Sequence, residues 1–145
     1  MILSKEEIAS LTASAEKADI ATREKIIQLL ELDKIERCKQ SFVAFATTMW
    51  PVFISGKHHQ IMAEAFERVA NGTLKRLIIN MPPRHTKSEF ASFLLPAWFL
   101  GKYPHKKIIQ TAHTAELAVG FGRKVRNLVQ SEEYQKVFEI GRAHV

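Results

Sequence analysis

Residues 76–89 read RLIINMPPRHTKSE: a short apolar run, a turn built of Pro, Arg, His and Thr, and then Lys87-Ser88 opening an apolar helix. A nucleoside triphosphate asks a protein for such an arrangement. It needs successive backbone N–H groups aimed at phosphate oxygens, a helix N-terminus behind them, a lysine for the outer phosphates and a hydroxyl for Mg²⁺. Leu77–Asn80 is expected as a strand, 82–88 as the loop and Glu89–Leu95 as the helix that follows. The usual G-x-x-x-x-G-K-[ST] pattern would place glycine where this chain has Met81 and Thr86. Pro82 and Pro83 carry no N–H, so the cradle falls to the amides of Arg84, His85, Thr86, Lys87 and Ser88. A β-branched Thr86 costs more than glycine if its position needs a positive φ. Either the loop has a helix-like φ there, or nucleotide binding is weak.

Downstream, the stretch Phe90–Leu100 is too short to cross a bilayer and contains Pro96. It reads as the helix behind the loop, buried against a sheet and ended or kinked by that proline. Gly101 is expected to break the chain, and Lys107–Thr111 to form a second strand. Strand, loop, helix and strand make a right-handed βαβ crossover, so the expected fold class is α/β, an incomplete P-loop NTPase parallel sheet with an α-helical N-terminal region. Thr114 caps the next helix, whose buried stripe is Leu117, Ala118, Phe121, Val125 and Leu128. Arg123, Lys124 and Arg126 fall on its solvated faces. Ser131-Glu132-Glu133 reads as an N-cap with first-turn acids.

Upstream, Ser4 and Glu7 have the spacing of a capping box opening a first helix. A second helix is expected over Thr22–Gln40, running on through Phe42 and Phe45 towards Pro51. His58–Ala70 shows Ile61, Met62, Ala65, Phe66 and Val69 on one side, an amphipathic helix closed by Asn71-Gly72 as a left-handed C-cap. Trp50, Trp98, Phe42, Phe93 and Phe99 sit in apolar runs and are assigned to packing.

The chain has 145 residues and a formal net charge of +6, a balance that suits a polyanionic partner. Its one cysteine, Cys38, excludes an intrachain disulfide framework. The start, MILSKEEIAS, turns charged at once and has no signal-peptide form. His58 and His59 adjoin, and His85, His105 and His113 are scattered without zinc-ligand spacing. Only His85 has a functional case, through its place in the loop, while His113 is expected as a neighbour of the site.

The run IINMPPRHTKS, preceded by GKHHQIMAEAFERVANGTLKR and followed by KKIIQTAHTAELAVGFGRKVRNLV, closely resembles the ATPase domain of tailed-bacteriophage terminase large subunits. The resemblance spans about Phe42 to Phe138. It implies ATP and Mg²⁺ as cofactors, with Lys87 on the β and γ phosphates, Ser88 on Mg²⁺ and Arg84 sensing or stabilising the γ-phosphate. His85 and Thr86 complete the loop, and Gln60 looks like the glutamine that reads adenine in related translocases. In the full protein, ATP hydrolysis would drive double-stranded DNA through the portal of a procapsid in the bacterial cytoplasm. The implied partners are DNA, the portal protein, the small terminase subunit and further copies in a ring, with no membrane. The chain divides on this reading into an α-helical region (1–50), the N-terminal part of the ATPase domain (51–139) and a non-native tail (140–145). That tail, IGRAHV, is what translation of a common sequencing-library adapter yields. No apolar strand ending in Asp-Glu follows the loop and no nuclease domain is present, so this piece is expected to bind nucleotide at most. The alternatives are another P-loop helicase or recombination ATPase, or a non-catalytic prophage remnant or DNA- or portal-binding module.

Overall fold

A computed structural model describes residues 2–138, so the proposed non-native tail, residues 140–145, lies outside the described residues. The chain begins with α1 (Lys5–Lys17), where the Ser4 hydroxyl accepts from the Glu7 N–H at 3.2 Å and the Glu7 carboxylate accepts from the Ser4 N–H at 2.6 Å. This reciprocal cap satisfies two amides that the first turn leaves without partners. α1 buries no residue and packs along α2 (Ile20–Gln40), while Leu3, just ahead of it, is tied to α2 by hydrogen bonds. The Leu3 N–H donates to Asp33 Oδ1 at 2.6 Å, Arg37 Nε donates to Asp33 Oδ2 at 2.6 Å, and the Arg37 guanidinium donates to the Leu3 carbonyl.

Ser41 turns extended, with φ −114° and ψ 125°, and separates α2 from α3 (Phe42–Met49). The helix expected to run on into Phe42 and Phe45 is therefore two helices. Glu67, from α4 (Lys57–Ala70), accepts the free N–H of Phe42 at 2.8 Å and so caps α3 from outside. Phe42 stands at the centre of the core, edge-on to Phe66, Phe90 and Trp98 with ring centroids 5.2, 5.3 and 5.6 Å away. Edge-to-face pairs of this kind add to the burial of their area. The Trp98 indole N–H reaches the Cys38 carbonyl at 2.9 Å, and the Tyr134 hydroxyl reaches the Ala97 carbonyl at 2.8 Å, so the buried aromatics keep their polar atoms satisfied.

The expected α/β sheet is not formed. Among the described residues the chain is all-helical and has no strand. Leu77–Asn80 and Lys107–Thr111, the expected strands, carry no ladder, and Ile78 and Ile109 stand 86% and 91% exposed. A strand exists through its pairing, and apolar runs this short do not by themselves distinguish strand from other structure. The helix behind the loop packs on α3, α6 and α7 in place of a sheet.

That helix begins at Lys87, widens into a π-helical segment (Glu89–Leu94) and continues as α5 (Leu95–Lys102). Pro96, expected to end or kink it, is absorbed by this change of register. The Leu95 N–H reaches back five residues to the Phe90 carbonyl. The Ser92 carbonyl, whose partner in an α register would be the N–H that Pro96 lacks, accepts from Gln110 Nε2 at 2.7 Å. Gly101, expected to break the chain, lies inside α5. The helices α6 (Ala115–Val129) and α7 (Glu132–Val137) open on Thr114 and Ser131, whose hydroxyls accept from Leu117 N–H and Tyr134 N–H as expected of N-caps. No described helix is long and apolar enough to cross a membrane.

Candidate functional site

The loop at 82–88 joins the extended approach of residues 75–81 to the helix that starts at Lys87. Two of its residues occupy the left-handed region: Arg84 at φ 65° and Thr86 at φ 57°. Neither is glycine, and a side chain held there costs about 1–2 kcal/mol per residue. Strain of this kind persists where the surroundings fix it, and it concentrates at ligand clamps. His85 between them is not at positive φ. Left-handed residues in a loop are one ingredient of the backbone concavities that bind anions. Thr86 thus adopts the conformation for which glycine is the usual residue; the helix-like φ is excluded, and of the two expectations the one left is that any nucleotide binding here is weak.

Hydrogen bonds fix the loop at both ends. His85 Nδ1 donates to the Pro83 carbonyl at 2.9 Å, and the Thr86 carbonyl accepts from the Phe90 N–H at 3.0 Å, the first bond of the helix. The Thr86 hydroxyl donates to the His85 carbonyl at 2.7 Å and lies 2.6 Å from His59 Nε2. His59 is 5% exposed and sits in the first turn of α4. Its Nδ1 accepts from the Gly56 N–H at 2.9 Å, which leaves the ring proton on Nε2 and directs it at Thr86. Phe53 and Phe90 wall the imidazole, with centroids 4.7 and 4.9 Å away. Burial pushes His59 below the usual imidazole range, and the neighbouring His58 and His85 push the same way.

Arg84, His85 and Ser88 are exposed, while Thr86 and Lys87 are half-buried. Arg84 and Lys87 place two cations on the loop without a carboxylate partner among the described salt bridges. The nearest acid in sequence, Glu89, is bound to Lys124 of α6 at 2.8 Å. Lys124 also lies over the rings of Phe93 and Phe121, at 5.9 and 5.6 Å, so it belongs to the packing of α6 on the loop helix and not to a wholly solvated face. Gln60 is exposed in the first turn of α4, next to His59, which brings that turn to the loop. His113 lines an open depression of about 560 Å³ whose walls come from α6 and its approach.

The described residues fit phosphate better than they fit a metal on its own. No group of three His, Cys, Asp or Glu is placed to hold a cation among them, so Mg²⁺ would depend on the Ser88 hydroxyl and on the oxygens of a bound phosphate. His59 is the site residue that sequence reasoning passed over. The spacing Gly56-x-x-His59 held a signal, because an acceptor at the third helical position can return to the N-cap amide.

No family model matches this chain, and neither a curated protein nor a solved structure matches it.

Proposed function

We propose that residues 82–88 bind the phosphates of ATP together with Mg²⁺, and that the chain is part of the ATPase subunit of a tailed-phage DNA-packaging motor. The observation that carries this is the pair of left-handed residues, Arg84 and Thr86, immediately before Lys87-Ser88 at a helix start. A loop that meets the cost of that conformation at side chains other than glycine is shaped for something its backbone binds. Lys87 serves the β and γ phosphates, Arg84 the γ-phosphate through a fork that stays charged, Ser88 the Mg²⁺, and Gln60 the adenine. The motor function rests on the resemblance of residues 42–138 to terminase large subunits, and it includes double-stranded DNA, the portal and neighbouring subunits as partners. No sheet enters this assignment; it stands on the loop and on the helix behind it.

Lys87→Ala tests the loop directly. Mg·ATP at a hundredfold excess over Kd stabilises a binding protein by about 2.7 kcal/mol, and that protection should vanish in the variant. Absence of protection in the wild-type chain at millimolar ATP would refute nucleotide binding. Unimpaired binding of duplex DNA by the same protein would then favour a non-catalytic DNA-binding module.

A further inference from the structure

Thr86 is held in the left-handed region by a partner that the phosphate chemistry does not use. Its hydroxyl stands between the His85 carbonyl, to which it donates at 2.7 Å, and His59 Nε2 at 2.6 Å. His59 is anchored on its other side by the Gly56 N–H at 2.9 Å. The chain of donors therefore runs one way, from the start of α4 through the imidazole and the hydroxyl into the loop backbone. It works only with a neutral ring. A proton on Nδ1 would set donor against donor at Gly56 and remove the anchor.

On the assignment of 82–88 as the phosphate loop, on which this inference rests, we propose that His59 is a positioning residue for phosphate binding. Its neutral imidazole locks Thr86 in the left-handed turn and so aims the amides of Arg84 to Ser88, and its protonation in acid releases them.

The surroundings of the ring support this role. From its own helix it faces His58, with centroids 3.8 Å apart, and His58 in turn stands 6.1 Å from His85 of the loop. The approach to α4 contributes Phe53 and the Gly56 amide, and the π-helical segment contributes Phe90. Burial first, and then the positive charge that His58 and His85 can carry, oppose a proton on His59. Because the native value lies below the ordinary 6.5, the stabilisation by the neutral ring is complete above 6.5. It is lost as pH falls from there through the native value.

The test compares wild type, His59→Asn and His59→Gln. The asparagine amide oxygen replaces Nδ1 at Gly56 but falls short of Thr86, whereas glutamine carries an N–H donor to the position of Nε2. Neither amide titrates. Hydrogen exchange of amides 84–88 is read without nucleotide, and affinity for Mg·ATP is read at about pH 7.5 and about pH 5.5. His59→Asn should exchange about tenfold faster in the loop and bind ATP about tenfold more weakly, with helix content unchanged. His59→Gln should stay near wild type at the higher pH and lack the extra weakening that wild type shows at the lower. Titration of the nucleotide itself is common to both and cancels in that comparison. Should His59→Asn fail to fold, Thr86→Val removes the same bond from the other side and should give the same loss.

Equal loop protection in wild type and His59→Asn overturns the proposal, as does a pH dependence that His59→Gln retains in full. ATP affinity equal in all the proteins overturns it while leaving the phosphate loop in place. A wild-type chain that takes no ATP, with loop exchange still governed by His59, overturns the phosphate assignment and with it the role in binding, but not the hydrogen bond.

Discussion

Gly101→Ala and Gly122→Ala are the same chemical change on two helices, and the structure requires opposite signs for them. Both exchange glycine for the best helix former, worth about 0.8–1 kcal/mol in an unencumbered helix. At Gly122, in α6, a Cβ would meet nothing within 4 Å, so that gain should be realised. At Gly101, in α5, a Cβ would stand 2.5 Å from Cδ2 and Cγ of Phe138 and 2.6 Å from its Cε2. Phe138 is 4% exposed and its ring is packed against Tyr134 and Phe45, at 5.2 and 5.9 Å, so moving it aside disturbs those contacts. Overpacking of this kind costs about 1–3 kcal/mol, rising towards the 3–5 kcal/mol of a lost aromatic if the ring is expelled. The net expectation is a loss of about 1–2 kcal/mol for Gly101→Ala against a gain of about 0.5–1 kcal/mol for Gly122→Ala. For a chain of this size the two melting temperatures should differ by roughly 6–12 °C, measured by calorimetry or by far-ultraviolet circular dichroism. If Gly101→Ala were as stable as Gly122→Ala, the seating of Phe138 on α5 would be refuted, and with it the closure of the core by α7.

Asp33 is held below its ordinary 3.8 first by the hydrogen bond from Arg37, so its stabilisation is present above 3.8 and is lost as pH falls through the depressed value. Asp33→Asn should cost about 1–3 kcal/mol at neutral pH in urea denaturation, discounted for the partly exposed Arg37, and the gap to wild type should close below 3.8. Thr86→Ala removes the hydroxyl but keeps the left-handed cost, whereas Thr86→Gly removes both, so the glycine variant should be the more stable of the two by about 1 kcal/mol. An alanine variant at least as stable as the glycine variant would mean that this φ is not positive.

Where a local signal decides, the sequence was legible. The capping boxes and hydroxyl caps at Ser4, Thr114 and Ser131 formed as their spacing required, because each involves only residues one helical turn apart. Gly72 took φ 83°, ending α4 as the Asn-Gly pair implied. The apolar stripes were legible in part. Met62 and Phe66 of α4 are buried while Ile61 is 60% exposed, and in α6 Val125 is buried while Leu117 is 41% exposed. A helix shows its period in the sequence, but the width of the face it buries is set by its neighbours. The fold class failed for that reason: Leu77–Asn80 and Lys107–Thr111 are apolar enough for strands, but no short run of sequence specifies whether a partner lies beside it.

The Lys107–Thr111 stretch has a different task, and it returns to the helix behind the loop. In an α register the Ser92 carbonyl would face the N–H that Pro96 lacks, and that carbonyl lies within the π-helical segment directly behind Lys87-Ser88. Ser92 is half-buried, so its carbonyl is only partly open to water as a substitute partner. Gln110 supplies a donor at 2.7 Å from a segment eighteen residues on, so the residues read as a strand act through one side chain, as a brace for the π-helical segment. His59 stands at the loop itself, 2.6 Å from the Thr86 hydroxyl. One long-range hydrogen bond thus reaches the loop and a second reaches the helix behind it, each made by a side chain whose sequence neighbourhood gives no hint of its partner. Short-range motif spacing locates the loop at 82–88; the contact from α4 to Thr86 and the support of Gln110 for the helix behind it lie beyond that spacing.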